Sequence, residues 1–257
     1  MLAIERRQKI LARVDRDGSV TVADLSLAFG VTEETIRRDL QGLDREGLLS
    51  RTHGGAVARA RETEDLPYPL RQTTNIAAKR AIAALAVAEI AEGDAVMVDS
   101  SSTAYEVLPL LARFRDLTLV TNSVRIVAEP TVTAHPIMSV GGELRRQSMT
   151  FVGPLATGAI GQFSADVALI SCKALARDGG VLDASLADAE VKRAFIGAAR
   201  KVCLLVDGDK FGGSALTRVC GLDRIDVVLT DRMPGGDWPS LLARAGARLR
   251  VAEDGDV

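Results

Sequence analysis

From residue 93 onward the chain repeats one pattern, a short apolar run followed by a polar loop and a helical stretch. Residues 95–99, 117–121, 136–140, 167–171, 202–207, 226–230 and 247–251 are apolar and strand-like, while 103–112 and 123–129 are helical. Strands that run the same way need a crossover, and a helix is the usual one. The alternation therefore predicts an α/β domain with a mainly parallel sheet. Such sheets take their ligands beyond the carboxyl ends of the strands.

The loops at those ends are polar. The first reads Asp99-Ser100-Ser101-Ser102-Thr103 and leads into a helix, so four hydroxyls and free backbone N–H groups can cradle a phosphate. Thr121-Asn122-Ser123 ends the second strand, Gly141-Gly142-Glu143 the third, and Asp207 with Lys210 lies beyond the fifth. The glycines would let a ligand approach the backbone, and Lys210 would supply a cation. Ordinary helix capping explains any one of these loops. Successive strand ends carrying donors, with no evident nucleophile–base pair, favour a ligand site. Ahead of the first strand, Thr74 or Asn75 caps a helix over 76–91 that Gly93 closes, and Lys79 and Arg80 read as its wet face.

Length sets a prior of about two domains for 257 residues. A 47% hydrophobic and 26% charged composition excludes wholesale disorder. No apolar run reaches the length of a membrane span, and the N-terminus has no leader-like apolar region, so a cytoplasmic protein without membrane partner is expected. Cys172, Cys203 and Cys220 are odd in number and widely spaced, which predicts buried free thiols. Two histidines and no close cysteine pair leave no zinc site by spacing, and neither metal nor cofactor is expected.

The net charge of −2 speaks against a nucleic-acid partner only as an average. Residues 1–60 hold ten Lys/Arg against nine Asp/Glu, so their arrangement must decide. Residues 2–14 form an amphipathic helix that Asp17-Gly18 stops. Thr21 with Asp24 makes a capping box for a second helix ending at Gly30. Thr32 caps a third, closed by Gly47. On that third helix Ile36, Leu40 and Leu43 fall within about 60° of arc and face a core. Glu34, Arg37, Arg38, Gln41 and Arg45 lie opposite. Arginine suits guanine or phosphate, glutamine suits adenine, and glutamate accepts from cytosine. A solvated helix face is the plainer reading of the same arc. The hairpin that follows, residues 48–57 with a Gly-Gly turn, resembles a wing whose Arg51 and His53 can touch phosphate or the minor groove.

The run from Val31 to Leu40, then Leu43, Gly47 and Arg51-Thr52-His53-Gly54-Gly55-Ala56, resembles the N-terminal signature of the DeoR family of bacterial transcription regulators. Arg6, Ile10, Leu11, Val20, Val22 and Leu25 fit the same pattern. Farther on, Lys79, Gly93, Asp99 to Thr103, Thr121 to Ser123, Gly141-Gly142, Gly153, Asp166, Glu190 with Lys192, Asp207 with Lys210, and Thr230-Asp231 resemble its effector domain, a fold related to ribose-5-phosphate isomerase. Ser101 stands where the family usually has glycine, and Ser171-Cys172-Lys173-Ala174 replaces a glycine-containing segment.

The resemblance implies a winged helix-turn-helix domain over 1–57, a linker over 58–73 marked by two prolines and mixed charge, and an effector-sensing α/β domain over 74–257. It implies a repressor of carbohydrate-metabolism genes that binds double-stranded operator DNA as a homo-oligomer, at least a dimer. Thr32, Glu34, Thr35, Arg37, Arg38, Gln41, Arg51 and His53 would meet DNA. Asp99, Ser101, Ser102, Thr103, Asn122, Gly141, Gly142 and Lys210 would hold a phosphorylated sugar or related metabolite. The alternative is a sugar-phosphate isomerase or deaminase with an accessory DNA-binding head, for which Asp99, Glu143, Asp183, Glu190 and Asp207 offer candidate bases. Residues after Asp231 carry no readable functional signal.

Overall fold

A computed structural model describes residues 3–45, 48–58, 68–129 and 133–252. The chain divides at about residue 61 into two compact units.

The first unit begins with α1 (Ala3–Asp17), which Gly18 ends at φ 74°, a left-handed turn open to glycine. Strand β1 (Ser19–Thr21) leads into α2 (Val22–Phe29), where the Thr21 hydroxyl accepts from the Asp24 N–H at 3.1 Å as the capping box requires. Gly30 closes α2 at φ 63°. Helix α3 (Glu33–Arg45) follows, then strands β2 (Leu49–Thr52) and β3 (Gly55–Ala58). The three strands pair antiparallel in the order β1-β3-β2. Ile10, Val14, Leu25, Ile36, Leu40, Leu43 and Leu49 fill the core between them. The helix stop expected at Gly47 and the linker residues 59–67 lie outside the described residues.

The hairpin turn differs from the sequence expectation. His53 and Gly54 make it, and Gly55 opens β3 opposite Thr21. A Cβ at Gly55 would sit 1.9 Å from the Val20 carbonyl oxygen. That glycine serves the close approach of β1, not the turn.

The second unit starts with α4 (Tyr68–Thr73) and α5 (Ile76–Val87). The series continues through β4 (Ala95–Val98), α6 (Ser102–Tyr105), a 3₁₀ turn (Leu108–Arg113), β5 (Thr118–Thr121), α7 (Val124–Ala128) and β6 (Ile137–Ser139). A hairpin of β7 (Glu143–Arg145) and β8 (Thr150–Val152) precedes α8 (Gly153–Ile160) and β9 (Ala165–Ser171). Next come β10 (Ala174–Leu175), β11 (Gly180–Asp183), α9 (Leu186–Ala198), β12 (Ala199–Leu205) and β13 (Thr217–Gly221). The unit closes with β14 (Val227–Thr230), α10 (Trp238–Ala245) and β15 (Arg248–Val251).

Among the described residues, seven strands form one wholly parallel sheet in the order β15-β14-β12-β9-β4-β5-β6. Alternate residues enter opposite cores: Val167 and Leu169 pack with α5, Ala168 and Ile170 with α8 and α9. The chain runs outward from β4 to β6, then returns to the other side of β4 with β9. The crevice between β4 and β9 is thus the topological switch point, where doubly wound sheets bind ligands.

Three local expectations change. The 103–112 helix is a short α6 and a 3₁₀ turn, because Pro109 has no N–H to continue an α-helix. Asn75 makes no side-chain cap on α5; its backbone is left-handed at φ 52° and its amide donates to Asp209 at 2.9 Å. Residues 68–73, assigned to a linker, form α4. Pro69 falls in its first turn, where a missing N–H has no bond to lose.

Candidate nucleic-acid interface and effector site

Helix α3 presents its charged arc outward. Thr32 caps it, accepting from the Thr35 N–H at 3.3 Å, and the two hydroxyls meet at 2.9 Å. Arg37 is tied to Glu33 at 2.6 Å and Arg38 to Glu34 at 3.3 Å, each one turn back on an exposed face. Gln41 lies exposed on the following turn, and Arg51 on β2 and His53 in the turn are also exposed. These exposed pairs are worth about 0.3–0.5 kcal/mol, so an arginine leaves its glutamate readily for a phosphate or base. Beneath the arc, Asp39 is 4% exposed and accepts from Arg6 at 2.5 Å and Arg7 at 3.3 Å. It pins α3 to α1, and no apolar period marks it in the sequence.

At the switch point, Asp99 is buried and both its oxygens are engaged. Oδ1 accepts from the Ser101 N–H and Oδ2 from the Ser171 N–H, each at 2.9 Å. Lys192 stands 3.6 Å from the same carboxylate and bonds Asp183 directly. Asp99 therefore shapes the loop from within. Ser101, at φ −70°, caps α6 by accepting from the Ala104 N–H at 3.1 Å, a conformation for which glycine has no advantage. Ser102 and Thr103 are buried beside it. The Lys210 ammonium reaches the Ser171 hydroxyl at 3.2 Å and Asp207 at 3.4 Å. Asp99, Ser101, Ser102, Thr103 and Lys210 thus gather about one crevice.

Asn122 and the two glycines follow the next strands outward, β5 and β6. Asn122 donates to the Thr150 hydroxyl at 2.6 Å and to the Phe151 carbonyl at 3.2 Å, tying β5 to the β7–β8 hairpin. Its buried Oδ1 has no hydrogen-bond partner among the described residues. Gly141 and Gly142 follow the edge strand β6, at φ 61° and 114°. A Cβ at Gly142 would lie 2.6 Å from the Val152 oxygen and 2.9 Å from the Ala156 methyl. Close packing under the hairpin requires glycine at 142.

Lys79 was missed. It is 4% exposed, bonds the Arg71 carbonyl, and lies close enough to Lys210 to feel its charge. Arg80 next to it is exposed. Cys172 is buried near Lys210 and Lys192, and burial pushes its thiol up to about 12. Cys203 is buried too, whereas Cys220 is half-exposed. At the opposite, amino end of the strands lies an open hollow of about 390 Å³. Most of its charges are already paired, Lys201 with Glu89 and Arg200 with Asp166, and Asp94 accepts from the Ala91 N–H.

Residues 74–232 match the family described as the DeoR C terminal sensor domain, and residues 6–62 match the DeoR-like helix-turn-helix domain. The chain belongs to the DeoR family. It is 36% identical to the transcriptional repressor AccR of Agrobacterium fabrum, over 88% of this chain and 89% of that one. With the transcriptional regulator YulB of Bacillus subtilis it shares 34% identity over 98% and 96%. With the glycerol-3-phosphate regulon repressor of Escherichia coli K12 it shares 31% over 91% and 93%. A ribose 5-phosphate isomerase from Methanocaldococcus jannaschii aligns at 13% identity and TM-score 0.41, over 54% of this chain and 55% of that one.

DeoR-family membership makes the chain a transcription regulator and removes the isomerase or deaminase alternative. Of the candidate bases, Asp99 and Asp183 each accept from backbone N–H and lie against Lys192. Among the described residues no helix is long and apolar enough to cross a membrane, and none of their carboxylates, histidines and cysteines group as metal ligands do.

Lys79 carries a pH prediction for this DeoR-family sensor. Burial, then the nearby Lys210 charge, pulls its pKa from 10.5 down to about 8. The folded state thus sheds this proton before the unfolded chain does, and stability gains from Lys79 as pH rises from about 8 to 10.5. Binding of an anion runs the other way, since it needs the charged lysine. Affinity for inorganic phosphate, measured by calorimetry, is expected to fall as pH rises through about 8, and Lys79→Gln to abolish that fall. An unchanged profile in the variant removes Lys79 from the site.

Proposed function

We propose that this regulator represses carbohydrate-metabolism genes from an operator read by α3 and the β2–β3 wing. A phosphorylated sugar or related metabolite at the switch point releases it. The observation that carries the effector half is a buried Lys79 sharing the Arg71 carbonyl with Ser102, and Lys210 bonded to Ser171 at the end of β9, about a loop of buried hydroxyls. A buried ammonium with a second, partly buried one across the crevice favours an anionic ligand such as a phosphate. The relatives named as repressors, one of a glycerol-3-phosphate regulon, support the same reading.

In this reading the residues to about 57 bind DNA and those from 74 sense the effector. The protein acts in the cytoplasm as a homo-oligomer, at least a dimer, which sets two recognition helices one or more helical turns apart. Thr32, Glu34, Thr35, Arg37, Arg38, Gln41, Arg51 and His53 form the DNA face. If effector weakens operator binding about 100-fold, the coupling is roughly 2.7 kcal/mol, and DNA weakens effector binding equally.

The test is fluorescence anisotropy on DNA upstream of the protein's own gene, at about 0.15 M salt with nonspecific competitor. Sugar phosphates and their unphosphorylated parents are then titrated in. Release by a phosphorylated member alone is the expected result; tight binding that no member alters defeats the effector half. Arg38→Ala is expected to lose operator affinity by about 1–3 kcal/mol with relaxed specificity if it reads a base. If it holds phosphate, the salt slope drops by about one. Phosphate binding by the sensor should be untouched.

A further inference from the structure

Helix α4 is the first described element the chain forms after the DNA-binding unit, and its contacts run to the effector site. The Tyr68 N–H donates to the Gln147 carbonyl at 3.0 Å, and the Arg71 guanidinium reaches the Ser148 carbonyl at 3.4 Å. The Arg71 carbonyl in turn accepts from the Ser102 hydroxyl at 3.3 Å and from the Lys79 ammonium. Ser102 and Lys79 therefore belong both to the wall of the effector site and to the clamp on α4.

Two further features mark this seat as one the helix can leave. Tyr68 Oη, Arg71 Nε and Ser148 Oγ are buried with no hydrogen-bond partner among the described residues. A buried polar group without a protein partner weakens the hold on α4. Among the described residues, Asn75 and Met149 are the two non-glycine residues in the left-handed region, at φ 52° and 54°. One follows α4 closely and the other follows Ser148, which α4 touches. Asparagine tolerates that conformation, but methionine adopts it only under constraint, and such strain gathers in switch regions.

We propose that α4 is a strap released by the effector. An anion held by Lys79, Lys210 and the β4 loop takes the Lys79 ammonium and the Ser102 hydroxyl from the Arg71 carbonyl, and α4 lets go. The proposal rests on the effector reading above and adds how that site is read out. An ammonium bonds an anionic oxygen more strongly than a neutral carbonyl, so the exchange favours the anion. Release detaches the six residues through which the chain enters the sensor. A longer connection then holds the recognition helices of a dimer less firmly at one spacing.

Hydrogen exchange on the full chain, with saturating inorganic phosphate against chloride at equal ionic strength, tests this. The expected result is exchange at least tenfold faster in amides 68–75 while amides 99–103 slow. Slowing at 99–103 with 68–75 unchanged or slower overturns the strap and leaves the effector site standing. No change in either segment overturns both. Lys79→Gln is expected to exchange rapidly at 68–75 without phosphate and to gain nothing from its addition. If 68–75 stay protected in that variant, Lys79 is not the clamp and the strap falls.

Discussion

Replacing Lys192 with alanine is expected to destabilise the sensor unit by about 3–5 kcal/mol. Lys192 is 9% exposed, and its ammonium stands between two buried carboxylates, bonding Asp183 and lying 3.6 Å from Asp99. Burial opposes its charge, but Asp183 and Asp99 outweigh burial and hold its pKa above the ordinary lysine value. Removing the cation leaves two like charges out of water and facing one another. The deficit should therefore be largest near neutral pH and shrink as pH falls toward the carboxylate range. Denaturant titrations of parent and variant at several pH values measure this. A variant as stable as the parent at pH 7 would show that Lys192 is dispensable to the fold. Because Asp99 also fixes the Ser101 and Ser171 N–H groups, phosphate binding should weaken in parallel.

Asp39→Ala is the corresponding experiment in the DNA-binding unit, with an expected loss of about 3 kcal/mol or more. It strands Arg6, whose side chain is 10% exposed, beside the gap. Ten buried apolar side chains make up the core of this unit among the described residues, and so small a unit has little stability in reserve. The DNA-binding unit should melt at a lower temperature or fail to fold, and operator binding should be lost, while phosphate binding by the sensor persists. An Arg6→Met, Asp39→Met pair should recover much of the stability, since apolar groups of similar volume replace buried ion pairs well. If the pair is as unstable as the single variant, packing at position 39 matters and the ion pair does not.

The parallel sheet and the three helices of the DNA-binding unit were readable because their apolar periods are clean. Ile36, Leu40 and Leu43 define one stripe of α3, and the strand runs are continuous because helices cover both faces of the sheet. What escaped has physical reasons. Helix α5 is alanine-rich and buried over much of its surface, so no polar stripe shows which way Lys79 points. Asp39 shares the inner face of α3 with leucines, and only Arg6 and Arg7, more than thirty positions away, make it tolerable there. The glycines at 55 and 142 answer to backbone from β1 and β8, contacts that no local window contains. At the effector site the hydroxyl loop and Lys210 were visible as residue types. That Asp99 is spent inside the loop, and that α4 sits against Ser102, depends on strand order.

The strand order also sets a sequence of events during synthesis. β4 pairs with β5, which follows it closely, and with β9, some seventy residues later. The switch-point crevice cannot close until β9 has been made, and it lacks Lys210 until β12 has been made. The DNA-binding unit needs none of this, because its core is drawn from residues 10–56. Local contacts form early and long-range parallel pairing late, and domains nearer the N-terminus fold first as the chain emerges. For part of its synthesis each nascent regulator thus has a finished DNA-binding unit and no means of sensing the metabolite that releases it.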